Sequence, residues 1–128
     1  MSTLKVNTLE EATIGGATFF TAKVWANVNQ IGTSAVRNSG GVSSLNDLGT
    51  GYFRLNFSDT APTSHWCMTA TGNGYGPSDV GNQYPALRSG TGISWQSPLF
   101  STTSVEVETG TAGGTQSDFG YIGVQVVY

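Results

Sequence analysis

The sequence predicts an all-β protein, an antiparallel β-sandwich or flattened barrel of about seven to eight strands with an extended N-terminal arm. Three observations support this fold class. Eighteen glycines and four prolines are spread over the 128 residues, which disfavours long helices. No stretch of helical length repeats its apolar residues with a period of 3.6, whereas alternation with a period of two recurs. Turn-forming sequences separate the alternating stretches.

Five stretches alternate clearly enough to be assigned as strands. In one of them Phe53, Leu55 and Phe57 share a face, and Arg54 lies on the other. We expect the apolar faces of all five to meet in one interior. The stretches are residues 23–29, 52–57, 64–71, 104–109 and 121–128. The side chains expected inside are Val24, Ala26, Val28, Phe53, Leu55, Phe57, Trp66, Met68, Ala70, Val105, Val107, Ile122, Val124, Val126 and Tyr128. The side chains expected on the opposite faces of the first and last stretches are Lys23, Trp25, Asn27, Gly123, Gln125 and Val127.

Weaker alternation adds three candidate strands, and the turn sequences add a hairpin. The weaker candidates lie at residues 34–37, 42–45 and 86–89. Residues 45–57 are predicted to form a hairpin whose turn is centred near residues 47–51, which are rich in Asn, Asp and Gly. Four aspartates fall in turns, where a carboxylate caps backbone amides: Asp47, Asp59, Asp79 and Asp118.

The chain divides into an N-terminal arm, residues 1–20, and a β-sandwich domain, residues 21–128. The arm contains one short strand candidate, residues 4–6, and too few apolar residues to bury by itself. We therefore expect the arm to dock on a neighbouring subunit. The apolar side chains available for that contact are Leu4, Val6, Leu9 and Ile14.

A long loop, residues 72–97, interrupts the sandwich domain and is rich in glycine and aromatic residues. Loops of this length are uncommon in small domains and usually functional. Tyr75, Tyr84 and Trp95 form a candidate binding surface there, for sugar rings or for a protein partner. The alternative is that the loop folds back over the sheet and buries these aromatic rings.

The composition favours a role in an assembly and excludes several other partners. Charged residues make up 10% of the chain, against roughly 25% in ordinary soluble domains, and Ser, Thr, Asn and Gly replace them. Such surfaces lose little side-chain entropy when they pack. The net charge is −3 without a basic run, so we expect no nucleic-acid binding. No apolar stretch is long enough for a membrane span or a signal peptide, so we expect neither.

The sequence offers little from which to build an active site. His65 is the only histidine and Cys67 the only cysteine, so the ligand set of a zinc site is missing. Cys67 stands between Trp66 and Met68 and is expected to be a buried thiol. Glu106 and Glu108 share one face of a strand, and a solvated strand face is the preferred interpretation over a glycosidase pair. We expect no catalytic residue, no metal and no cofactor, and therefore no enzyme.

Four stretches carry a resemblance to a known group of proteins: residues 1–9, 21–29, 35–57 and 117–126. They resemble virion structural and tail-fibre proteins of tailed phages, particularly marine and cyanobacterial ones, with the pattern "STLKVNT…AKAWVNFN…GTGDYTVNF". The chain departs from that pattern in residues 72–97. The resemblance implies a β-rich, homo-oligomeric particle component located in the virion, commonly a trimer, that contacts other virion proteins. It transfers no catalytic residue.

Several functions are compatible with these observations. The leading hypothesis is a tail-fibre or adhesin component that presents its loops outward, with a host surface glycan as a possible ligand. The alternative in the same class is a capsid decoration protein. A free carbohydrate-binding module, which would bind through Tyr75, Tyr84 or Trp95, belongs to a different class. A glycosidase that uses Glu106 and Glu108 is the remaining hypothesis.

Overall fold

The computed structural model describes residues 22–73, 83–87, 101–111 and 115–128, and these contain eight β-strands and no helix. The strands are β1 (Val24–Asn29), β2 (Ala35–Gly40), β3 (Val42–Gly49), β4 (Tyr52–Phe57), β5 (Cys67–Asn73), β6 (Gln83–Leu87), β7 (Ser104–Thr111) and β8 (Tyr121–Val127). All strand pairs are antiparallel. The predicted all-β sandwich is therefore confirmed. The arm lies outside the described residues, so the division at residue 20 stays a prediction.

The strands form two four-stranded sheets. Sheet I has the order β2-β1-β8-β5, and sheet II has the order β3-β4-β7-β6. The central strands β1, β4 and β8 alternate strictly between buried and more exposed side chains, which is what two sheets packed face to face require. The predicted hairpin is the β3–β4 pair, with Thr50 and Gly51 between the two strands.

Gly41 makes a corner between the two sheets. It is the only residue between β2, at the edge of sheet I, and β3, at the edge of sheet II. Its φ of 71° lies in the left-handed region that favours glycine. A Cβ at this position would lie 2.2 Å from the carbonyl oxygen of Lys23, so the backbone of β2–β3 passes directly against the start of β1. The chain therefore changes sheets without a loop.

The core lies between the sheets and matches the alternation in the sequence. Buried apolar side chains come from β1, β4, β7 and β8, and each contributes roughly 1.5–3 kcal/mol when it is fully buried. Met68, Ala70 and Tyr128 are partly buried and pack against this cluster. Phe119, from the segment before β8, is fully buried and was not expected there. The buried apolar residues are Val24, Ala26, Val28, Phe53, Leu55, Phe57, Ala61, Trp66, Val105, Val107, Phe119, Ile122, Val124 and Val126.

Three predictions about the strands and the loop between them need correction. The weak candidates at residues 34–37 and 42–45 extend to Gly40 and to Gly49, since they form one path around the corner. The predicted loop at residues 72–97 is not continuous, because β5 runs to Asn73 and β6 occupies Gln83–Leu87. β6 also replaces the candidate at residues 86–89, which was placed too late. The rest of the predicted loop, residues 74–82 and 88–97, lies outside the described residues.

Candidate functional site

The structure describes only one of the residues that were predicted to bind a ligand or to mediate assembly. Tyr84 lies on β6, where it pairs with Gly110 of β7, and so it belongs to a sheet edge and not to a loop. The other predicted residues lie outside the described part of the chain, and their roles stay predictions: Tyr75, Trp95, Leu4, Val6, Leu9 and Ile14.

The outer face of sheet I carries two large exposed aromatic rings. Trp25 of β1 is 40% exposed and Tyr121 of β8 is 53% exposed. Their strands are hydrogen-bonded neighbours at the centre of the sheet, and Gln125 of β8 is the partner of Trp25. Tyr121 lies four residues before Gln125, which is about 13 Å along an extended strand. The two rings therefore mark the two ends of one strip of the sheet.

A groove runs along β8 between these aromatic residues. Gly123 pairs with Asn27 on one side and with Thr71 on the other, and it has no side chain to fill the space between them. One part of the groove, about 340 Å³, extends from Gly123 to Trp25. The other part, about 310 Å³, extends to Tyr121, and both parts share Asn27, Thr71 and Gly123. Gly123 is thus the floor of one continuous depression.

Local packing fixes the orientation of Trp25. Its partner on β2 is Gly40, and a Cβ added to Gly40 would lie 2.3 Å from Trp25 Nε1. The indole therefore lies on the bare backbone of the neighbouring strand. A side chain at position 40 would displace the ring, so Gly40 gives the indole the space in which it lies at the border of the groove.

A cation fixes Tyr121 at the other end. The Cζ atom of Arg37 lies 4.3 Å from the centroid of the Tyr121 ring. The guanidinium group donates from Nη1 to the carbonyl oxygen of Gly120, at 2.6 Å, and from Nη2 to Asn29 Oδ1, at 3.2 Å. These contacts tie the charge of Arg37 to the ring and to the strand end. An exposed cation–π contact contributes about 0.5–1 kcal/mol.

The groove is lined by neutral side chains. Its described lining combines amides, hydroxyls and aromatic rings, and among these described residues the phenol of Tyr121 is the only ionisable group. The side chains and backbone that line the two parts belong to Trp25, Ala26, Asn27, Thr69, Thr71, Gly72, Tyr121, Ile122, Gly123, Val124 and Gln125. The alternation in the sequence placed Trp25, Asn27, Gly123 and Gln125 on the outer face, but it could not show that β1 and β8 are neighbours.

The outer face of sheet II has a different chemistry. Arg54 of β4 pairs with Glu106 of β7 and forms an ion pair with it, and Arg54 Nε lies 3.0 Å from Glu106 Oε1. The Glu106 side chain is only 7% exposed, whereas that of Arg54 is 41% exposed. The prediction of a solvated acidic face is therefore wrong for Glu106. Glu108 lies further along the strand, with Gln116 Nε2 3.5 Å from its Oε1.

The prediction that Cys67 is a buried thiol is wrong, because this residue is exposed. It begins β5, and Met68 and Ala70 on the same strand face the core, so alternation turns Cys67 outward. His65 is exposed as well, and its Nδ1 lies 2.9 Å from the Thr63 hydroxyl oxygen. Among the described residues no three His, Cys, Asp or Glu side chains come together as a metal site would require.

Asp47 and Asp118 both accept hydrogen bonds from backbone amides, but only Asp47 caps its own turn as predicted. Asp47 accepts a hydrogen bond from Gly49 N at 2.9 Å and from the Ser34 hydroxyl at 2.8 Å. These two bonds, in that order of size, hold the pKa of Asp47 below its ordinary value, and slight desolvation opposes them. Asp118 accepts from Gly51 N at 2.7 Å. It therefore ties the β3–β4 hairpin to the segment before β8, and not a turn of its own.

Comparison with protein families, with curated proteins and with solved structures finds no match for this chain. Within the described residues no helix has the length and apolar character needed to span a bilayer.

Proposed function

We propose that this chain is a structural component of a bacteriophage virion, in the tail-fibre or adhesin apparatus. It assembles as a homo-oligomer, with a trimer favoured, through the N-terminal arm, and it contacts other virion proteins. The sandwich domain is the rigid body of the subunit and needs neither a cofactor nor a catalytic residue.

One observation carries the proposal beyond the sequence resemblance. The stretches that resemble phage tail-fibre proteins, residues 21–29, 35–57 and 117–126, contain β1, β2, β3, β4 and most of β8. β2, β1 and β8 are consecutive in sheet I, β3 and β4 are consecutive in sheet II, and Gly41 joins the two groups. The resemblance thus falls on one continuous piece of the fold, as expected of a shared structural unit.

The surface chemistry also supports a part that packs against neighbours. Only 10% of the residues are charged, and exposed Ser, Thr and Asn side chains lose less entropy on packing than Lys or Glu. The corner at Gly41 joins one edge of sheet I to one edge of sheet II, so the two sheets form one connected body.

The arm is tested in the full-length chain with the double variant Leu4→Asp and Val6→Asp. Native mass spectrometry is expected to give a trimer for the unchanged protein and a monomer for the variant, with the same β-sheet circular dichroism. Leu48→Asp is the matched control, because Leu48 is an exposed apolar residue of the sandwich, 39% exposed. An unchanged oligomer in the arm variant, or a monomeric unchanged protein, contradicts assembly through the arm.

The place in the particle is tested by antibody labelling of phage virions. Labelled tails support the tail-fibre or adhesin assignment. Labelled heads contradict it and favour a capsid decoration protein. A monomer that labels neither part contradicts the virion role and leaves the free carbohydrate-binding module.

A further inference from the structure

We infer that the groove on the outer face of sheet I is a binding site for a neutral oligosaccharide. The residues of this groove are other than the three aromatic residues that the sequence suggested, and the inference stands on its own chemistry whether or not the chain belongs to a virion. The inference combines three features of the groove: its aromatic ends, its neutral polar walls and its length.

The aromatic ends suit pyranose rings. One face of such a ring presents C–H groups that pack on an aromatic plane, while the hydroxyls project around the rim. Trp25 and Tyr121 are both exposed and both held in place, Trp25 by the bare backbone of Gly40 and Tyr121 by Arg37. Rings that are already ordered lose little entropy when a ligand stacks on them.

The polar walls suit hydroxyl groups and not charges. Asn27 and Gln125 each carry an amide with donors and an acceptor, and Thr69 and Thr71 each carry a hydroxyl that can do both. Sugar hydroxyls need this mixture. Phosphate, sulfate or carboxylate groups would call for a cation in the lining, and none of the described lining residues carries one. The guanidinium of Arg37 stacks on Tyr121 and donates to the carbonyl oxygen of Gly120.

The length and the floor of the groove define the size of the ligand. The two aromatic residues lie about 13 Å apart along β8, which is longer than a single sugar ring. The missing side chain at Gly123 lets the ligand approach the strand backbone between Asn27 and Thr71. A chain of sugar units therefore fits the groove better than a monosaccharide does.

The site is tested with an array of neutral, sialylated and sulfated glycans, followed by calorimetric titration of the best neutral glycan. The unchanged protein is expected to bind neutral glycans selectively. Gly123→Val fills the floor of the groove and is expected to weaken binding about tenfold or more. We expect the fold to be kept, because a Cβ there meets the hydroxyl of exposed Thr71 at 3.1 Å, which can rotate away, and the Thr71 carbonyl oxygen at an ordinary 3.9 Å, and because valine is favoured in strands.

Trp25→Ala provides an independent variant, since this ring is exposed and lies outside the core. It is expected to weaken the same titration by about tenfold. Leu48→Ala is the control and should bind normally. The inference is overturned if no neutral glycan binds at millimolar concentration, or if only charged glycans bind. It is also overturned if either groove variant binds as well as the unchanged protein. A fourth result against it is an oligomer that dissociates in Gly123→Val while no glycan binds to the unchanged protein. The last result would make this face a contact between copies of the chain.

Discussion

Replacing Gly41 with alanine tests the corner that joins the two sheets, and Gly32 provides a matched control. The two glycines have nearly the same backbone conformation, with φ of 71° and 76°. A Cβ at Gly41 would lie 2.2 Å from the carbonyl oxygen of Lys23, whereas a Cβ at Gly32 would meet nothing within 4 Å. Gly32→Ala therefore measures backbone strain alone, and Gly41→Ala measures strain together with the steric conflict.

The expected magnitudes follow from these surroundings. The left-handed conformation destabilises the folded alanine variant by roughly 1–2 kcal/mol. Alanine also reduces the conformational entropy of the unfolded chain, which offsets about 0.4–1 kcal/mol of this loss. Gly32→Ala should therefore lower the free energy of unfolding by about 1 kcal/mol or less. In Gly41→Ala the two backbones must also separate. This separation strains the hydrogen bonds from Lys23 N to Val126 O, at 3.0 Å, and from Ser58 N to Gly41 O, at 2.9 Å. Each of these bonds contributes about 1 kcal/mol, so the total loss should be about 3 kcal/mol.

The measurement is urea denaturation of both variants and of the unchanged protein at one protein concentration, because an oligomer's stability depends on concentration. Equal m-values make the midpoints directly comparable. If Gly41→Ala unfolds within about 0.5 kcal/mol of Gly32→Ala, the steric account of the corner is wrong.

Three further predictions concern charge and exposure. Arg54→Met should lower the free energy of unfolding by about 2 kcal/mol, because it leaves the buried carboxylate of Glu106 without its cation. Glu106→Gln should lower it by about 1 kcal/mol, because the more exposed Arg54 can still reach water. Urea denaturation that gives the reverse order would refute this account. Cys67 should react fully with a maleimide in the native protein, and mass spectrometry showing reaction only in denaturant would contradict its exposed position. Asp47 should titrate below its ordinary pKa by NMR, because Gly49 N–H and the Ser34 hydroxyl stabilise the carboxylate. The ionised Asp47 therefore stabilises the fold above about pH 4, and this stabilisation is lost as the pH falls through the lower pKa of the folded state. An NMR titration midpoint for Asp47 above about 4 would contradict the hydrogen bonds.

The alternation of side chains predicted the core because each central strand has one apolar and one polar face. Phe53, Leu55 and Phe57 are buried for that reason, and the same phase rule turns Cys67 outward once Met68 faces the core. The cysteine was misplaced because its apolar neighbours were given more weight than the phase of its own strand. The edge strand β6 was placed too late, at residues 86–89, because Pro85 argues against a strand although proline is tolerated at the edge of a sheet.

Strand pairing explains what the sequence could not predict about the candidate site. The sequence placed Trp25 on an outward face and Tyr121 at the start of a strand, but the two strands come from opposite ends of the described chain. The burial of Glu106 depends on Arg54, which is 52 positions away. Contacts between residues so far apart in sequence depend on the strand topology, which the local alternation of side chains does not determine.

The central position of β8 in sheet I has a consequence for how the molecule forms. β8 is the last of the eight strands, yet β1 and β5 both bond to it and not to each other. During synthesis β1 to β7 therefore emerge before the strand that lies between β1 and β5 in sheet I. The second partner of β1 is β8, nearly a hundred residues downstream. Such distant closure makes folding slow, and sheet I cannot be completed until β8 has been synthesised.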